Sequence, residues 1–218
     1  QSLVLDDMGI YFDPASPSRL EQLIADAAMR PCARGAALRK SILAAKLSKY
    51  NLDGDDALPA RDGRMRILVP GQVEDDASIL LGATQVKTNL DLLRAARHRF
   101  PTAKLIYKPH PDVEAGLRPG AIAPALLAGL ADYTASHADP LALIEACDGV
   151  ITMTSLLGFE ALLRGVAVTC YGTPFYAGWG LTDDRGPKVP RRGSGVDLTG
   201  LVHAALIDYP RYFDPVTR

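Results

Sequence analysis

The sequence predicts an α/β fold with a Rossmann-like parallel sheet, on two observations. From Met65 onward, apolar runs of four or five residues alternate with stretches of helical periodicity, the pattern of a parallel sheet covered on both faces. The unusual residues fall directly after the strand-like runs, at the carboxyl edge where such sheets bind ligands.

The elements follow in chain order. Residues 1 to 16 read as a short strand through Leu3-Val4-Leu5 to Asp6-Asp7, then a turn-rich stretch. Ser18 with Glu21 three residues on is a capping-box start, and Leu20, Leu23, Ile24 and Ala27 continue at helical spacing. A second helical pattern runs through Leu38, Ile42, Ala45 and Leu47 to about Tyr50. Asn51 to Gly63, rich in Asp, Gly and Pro, then reads as a linker. Strands are expected at 67–69, 104–107, 131–134, 149–152 and 166–170. Helices are expected at 88–99, 123–130, 140–146, 156–163 and 198–207, with a long Gly- and Pro-rich loop over 173–195. Residues 1–63 thus form an N-terminal strand, helical segment and linker, and 64–218 the Rossmann-like domain.

Composition bounds the function. With 218 residues, 48% hydrophobic and 22% charged, the chain can bury a full core, which excludes disorder and a fibrous class. A formal net charge of -1 gives no bulk attraction to nucleic acid. Cys32, Cys147 and Cys170 show no CxxC or Cys/His pattern, which predicts buried reduced thiols in a cytoplasmic protein. No apolar run approaches the roughly 20 residues that span a bilayer, and no secretory signal is present. Because the chain opens on Gln1 inside an apolar run, a fragment of a longer protein is expected.

Four clusters carry candidate chemistry. After the first strand of the domain comes Gly71-Gln72-Val73-Glu74-Asp75-Asp76. Three adjacent carboxylates repel one another, so folding alone does not favour them; they suit a nucleophile and acid/base pair, or Mg²⁺, against the alternative of a capping turn. After the second comes Lys108-Pro109-His110-Pro111-Asp112, where a cation and a His in an extended backbone suit an anion such as phosphate. Met153-Thr154-Ser155 precedes the helix holding Gly158 and Glu160; hydroxyls and open N–H groups there form an anion site, or simply an ordinary N-cap. Glu160 either reaches ribose hydroxyls or faces solvent. Finally, Tyr171 to Asp184 gathers Phe175, Tyr176 and the only Trp, Trp179, in a loop suited to a sugar or nucleotide wall or folded over its own aromatics. His98, His137 and His203 lie on helical or connecting stretches and are read as packing residues.

Together these segments resemble a known family, the bacterial capsule polysaccharide biosynthesis proteins of the KpsC/LipB type. The matching elements are SLVLDDMGIYFDP (2–14), GQVEDDAS (71–78), KPHPD (108–112), TSLLGFEAL (154–162) and GTPFYAGWGLT (172–182), in the family's order along nearly the whole chain. The resemblance implies a GT-B-like retaining β-Kdo transferase that takes CMP-Kdo as donor, in synthesis of the capsule's lipid anchor or linker. This chain would represent the donor-binding part with most of the N-terminal subdomain missing. The HP element is similar to the His-Pro motif of bacterial sialyltransferases, which implies His110 and Ser155 as phosphate ligands assisted by Lys108 and Thr154. Glu160 would meet the ribose and Tyr176 would wall the donor. Double displacement implies Asp76 as nucleophile, Glu74 as acid/base partner and Gln72 as a sugar-orienting group, with no metal or further cofactor. The partner would be a glycolipid or Kdo-bearing acceptor, holding the enzyme peripherally at the inner face of the inner membrane. A UDP- or GDP-sugar transferase and a non-catalytic nucleotide- or glycan-binding module are the competing expectations.

Overall fold

The structure, a computed structural model, describes residues 2–48, 58–193 and 195–213. Tyr50 and residues 51–57 of the expected linker lie outside the described residues. Strand β1 (Ser2–Val4) leads to helices α1 (Arg19–Ala27) and α2 (Ala33–Ala44). Ser18 caps α1 as its sequence spacing predicts, accepting from Glu21 N at 3.2 Å. Glu21 does not complete the box; its carboxylate is turned to Arg191 and Arg192 instead. Helix α2 starts and stops earlier than its apolar pattern suggested, ending before Lys46, whose φ of 48° breaks the helix.

The central sheet is built from β2 (Arg66–Pro70), β3 (Lys104–Lys108), β4 (Tyr133–Thr134), β5 (Gly149–Thr152), β6 (Ala167–Cys170) and β7 (Asp183–Asp184). All pairings are parallel, in the order β4-β3-β2-β5-β6-β7. The chain therefore works outward from β2 in one direction and then from β5 in the other, leaving a crevice where the order reverses. Alternate residues of β2 feed two cores: Leu68 joins the cluster with Ile106, Val150 and Val168, while Ile67 and Val69 join Leu105, Ile151 and Met153 on the opposite face.

The covering helices are α3 (Ala77–Gly82), α4 (Asn89–Arg99), α5 (Pro111–Glu114), α6 (Pro124–Leu130), α7 (Pro140–Ala146), α8 (Leu156–Leu163) and α9 (Leu198–His203). Asp139 and Ser155 cap α7 and α8 as expected, and Thr88, expected as the first residue of its helix, caps α4; each accepts a backbone N–H of the first turn. The expected last helix is α9 continued by a π-helical turn, Ala204–Asp208, on which α1 packs; α2 packs against α9. Strand β8 (Pro210–Tyr212) closes on β1, with Ser2 opposite Tyr212. Four elements stand where no regular element was expected: the short helices α3 and α5, β7 within 173–195, and β8. Strand β7 is two aspartates long at the sheet edge, paired with β6 through its backbone and through Thr169 Oγ1 donating to Asp183, so no apolar run announces it.

Candidate active site

Strands β2, β3, β5 and β6 all end on one edge of the sheet, and the loops that leave them enclose a cleft of about 480 Å³ at the order reversal. Its lining includes Gln72, Asp76, Lys108, His110, Thr154, Ser155, Glu160 and Tyr176. Eight of the nine site residues expected from sequence thus meet on one surface. Glu74 does not line it.

The acidic run comes apart because the chain turns as it leaves β2. Glu74 Oε1 accepts from Asn89 N at 2.7 Å, holding the first turn of α4. Asp75 pairs with Arg118 at 2.6 Å. Asp76 alone of the three faces the cleft, as N-cap of α3, with Oδ1 accepting from Ser78 N at 2.9 Å and Ser78 Oγ at 2.7 Å. One carboxylate oxygen is thereby oriented by its own helix start. Among the described residues, no three His, Cys, Asp or Glu side chains converge as metal ligands would.

Gln72 is buried and spans the crevice floor. Its Oε1 accepts from Thr154 N at 3.0 Å and Thr152 Oγ1 at 3.2 Å, while Nε2 donates to Thr154 Oγ1 at 2.9 Å. Ser78 Oγ lies 3.2 Å from the same Thr154 hydroxyl, joining the Asp76 turn to the floor. The amide of Gln72 is thus a strut between the exits of β2 and β5.

On the β3 side, Lys108 is 5% exposed, with Nζ donating to Ser136 O at 2.9 Å, a buried cation at the base of the cleft. His110 caps the one-turn helix α5, Nδ1 accepting from Asp112 N at 3.2 Å. An accepting Nδ1 leaves the neutral ring's proton on Nε2, the tautomer needed to donate to an anion.

On the β5 side, Ser155 Oγ accepts from Leu157 N at 3.2 Å, and Ser155 N donates to Thr152 Oγ1 at 3.1 Å. Tyr176 OH donates to the Ser155 carbonyl, which ties the aromatic loop to the start of α8. Tyr176 is fully buried, and that burial pushes its phenol well above the usual range, so it stays a donor. Helix α8 and Tyr176 approach so closely that a Cβ on Gly158 would sit 2.3 Å from the phenol oxygen. Glu160 is buried in α8 and lines the cleft; it does not face solvent. The aromatic loop also packs on itself, Trp179 Nε1 donating to Phe175 O at 2.8 Å. The loop thus folds over its own aromatics and at the same time lines the cleft through Phe175 and Tyr176.

The buried Arg192 fixes this loop from behind, donating to Pro174 O at 2.7 Å, Ala177 O at 3.0 Å and Glu21 Oε1 at 2.7 Å. Desolvation lowers its proton affinity, and Glu21 opposes that shift. Sequence reasoning missed this pair, and also Arg118, Tyr11 and Phe12, which complete the lining. Tyr11 and Phe12 lay inside a segment already marked by resemblance; Arg118 had no local signal.

Residues 36–212 match the family described as capsule polysaccharide biosynthesis protein. The chain is 50% identical over 218 residues to the capsule polysaccharide modification protein LipA of Neisseria meningitidis serogroup B, covering 99% of this chain and 31% of LipA. It is 46% identical to the lipopolysaccharide-processing protein LpsZ of Rhizobium meliloti, covering 97% of this chain and 49% of LpsZ. It therefore spans 31% to 49% of the length of these relatives. Two solved structures from Thermosulfurimonas dismutans are similar. The KpsC β-Kdo 2,7 transferase gives a TM-score of 0.83 at 38% identity, over 99% of this chain and 66% of that one. The KpsC β-Kdo 2,4 transferase gives 0.84 at 32%, over 99% and 68%. The Rossmann-like, GT-B-like α/β class expected from sequence is borne out.

Proposed function

Because the chain belongs to the capsule polysaccharide biosynthesis protein family, we propose that it is the donor-binding part of a retaining β-Kdo transferase that uses CMP-Kdo. What carries this proposal is the gathering of Asp76, His110, Thr154, Ser155 and Glu160 on one cleft at the order reversal of the sheet. A carboxylate and anion-binding groups on one cleft, Asp76 being joined to Thr154 through the Ser78 hydroxyl, match a glycosyl phosphate, whose sugar carbon and phosphate need different partners.

The CMP phosphate is received by the Nε2–H of His110 and the hydroxyl of Ser155, with Lys108 supplying positive charge at low dielectric. Glu160 accepts from the ribose hydroxyls. Asp76 then attacks the anomeric carbon, forming a glycosyl ester as the carbon–oxygen bond to phosphate breaks and CMP leaves with both electrons. In the second step an acceptor hydroxyl attacks the same carbon, its proton passes to a base, and the Asp76 carboxylate is released. Two inversions give net retention. The leaving group is a phosphate monoester, so its departure needs charge stabilisation more than protonation.

The acceptor in this scheme is a Kdo-bearing glycolipid of the capsule anchor, which would bring the protein to the inner face of the inner membrane. Among the described residues no helix is long and apolar enough to cross a membrane. The test is transfer of Kdo from CMP-Kdo to such an acceptor by the full-length protein. Product of β configuration is expected; no transfer, or transfer from a UDP- or GDP-sugar instead, would overturn the proposal.

A further inference from the structure

Arg118 lies in the wall of the same cleft as Asp76 and His110, and no role in the scheme above uses it. It reaches that wall from a segment with no regular structure, yet the segment is held at four points. Leu117 N and Arg118 N both donate to Asp112 O, at 2.8 and 3.2 Å. Glu74 N donates to Pro119 O at 3.1 Å, and Asn89 Nδ2 donates to Gly120 O at 2.9 Å. The fit at Gly120 admits no side chain: its φ is 131°, and a Cβ would lie 2.8 Å from both Asn89 Nδ2 and Gln72 O. The arginine is thus mounted on the floor of the cleft.

Its guanidinium is also oriented. Nε and Nη2 both donate to Asp75 Oδ1, at 3.1 and 2.6 Å, which commits one edge of the plane. Nη1 makes no hydrogen bond to any described residue, so a second edge of the fork can receive another carboxylate. Asp76 and Asp112 line the same cleft as Arg118 and act on it electrostatically, so the guanidinium shares its cleft with the carboxylate assigned to the sugar carbon.

A sugar acid poses a specific difficulty here. Its own carboxylate adjoins the anomeric carbon, so an attacking aspartate must approach a like charge. A cation at that position removes the repulsion, and a neutral sugar would gain nothing from it. We propose that Arg118, oriented by Asp75, binds the carboxylate of the donor sugar and selects a sugar acid over a neutral sugar. This assignment rests on the donor reading above and adds the group that recognises the acid.

The experiment compares CMP-Kdo with its C1 carboxamide as donors for the full-length protein and for Arg118→Ala, with CMP inhibition measured alongside. Wild type should prefer the acid, and Arg118→Ala should lose about tenfold or more in kcat/KM for CMP-Kdo while handling the amide nearly as wild type does. Its inhibition constant for CMP, which lacks the sugar, should stay within about twofold and so report an intact fold. Asp75→Asn should show the same loss of preference to a lesser degree. An acid preference that survives in Arg118→Ala, with wild-type transfer intact, would overturn the assignment and leave the donor reading standing. Failure of wild type to use CMP-Kdo at all would overturn the donor reading, and this assignment with it.

Discussion

Gln72 and Thr154 hold each other by two hydrogen bonds across the point where the sheet reverses order, Nε2 to Oγ1 at 2.9 Å and backbone N to Oε1 at 3.0 Å. The strands they follow, β2 and β5, are adjacent, so this pair sets the distance between the acidic turn and the hydroxyl-bearing helix start. Replacing Gln72 with Ala would leave the buried Thr152 hydroxyl and the Thr154 N–H without their acceptor. A loss of about 2–4 kcal/mol is expected, since each unsatisfied buried group costs about 1–3 kcal/mol. Urea unfolding measures it, and a loss under about 0.5 kcal/mol would remove the strut role.

His110→Ala should weaken CMP binding by about 1.5–3 kcal/mol, the worth of a hydrogen bond to a charged group. Calorimetry on the full-length protein reads this directly. Unchanged affinity would rule His110 out as a phosphate ligand.

Asp76 has two duties that substitutions separate. Asp76→Asn keeps an acceptor for Ser78 N and so keeps the cap of α3, yet cannot form the glycosyl ester. Asp76→Ala loses both, at an extra cost of about 1 kcal/mol in stability. Both variants should bind CMP and transfer no sugar. Intact-protein mass spectrometry with a slow acceptor should find a Kdo adduct on Asp76 in wild type. Full activity in either variant would end the double-displacement assignment.

Gly158→Ala should cost about 1–3 kcal/mol, the range for overpacking a close contact, because the new methyl meets the Tyr176 phenol at 2.3 Å. Tyr176→Phe removes that oxygen, so the two changes together should cost less than their sum. Strict additivity in denaturation would contradict the contact.

Asp132 supplies the pH dependence. Burial alone would raise its carboxyl, but Leu105 N at 2.9 Å, Arg64 and Arg97 together hold it below its ordinary value. The folded form therefore binds its proton more weakly than the unfolded form. Its stabilisation is complete above the unfolded value of about 3.9 and fades as pH falls through the depressed folded one. Asp132→Asn should lower the melting temperature at neutral pH, and the gap to wild type should close as the pH falls below the unfolded value and through the depressed folded one. A gap that stays constant across that range would show that the ion pairs contribute nothing.

Local signals were legible in the sequence and distant ones were not. Asp139 and Ser155 each cap a helix that begins one residue later, so spacing alone revealed them. The buried strands announced themselves because both faces are covered, which forces unbroken apolar runs. Glu74, Asp75 and Asp76 looked like one cluster, but a turn sends them to three partners, and only the fold tells which one faces the cleft. Arg118 and Asn89 act through residues 17 to 43 positions away, a separation at which no periodicity exists.

Asn89 makes four hydrogen bonds: it joins Gln72 N and O to Gly120 O through its side chain, and its backbone N–H meets Glu74. No part of that junction can breathe alone. The Gln72 amide proton should therefore exchange with solvent only when the whole domain unfolds, on the timescale of the most protected strands. The floor of the cleft is a rigid anvil, and any closure around a bound donor has to be carried by the walls above it.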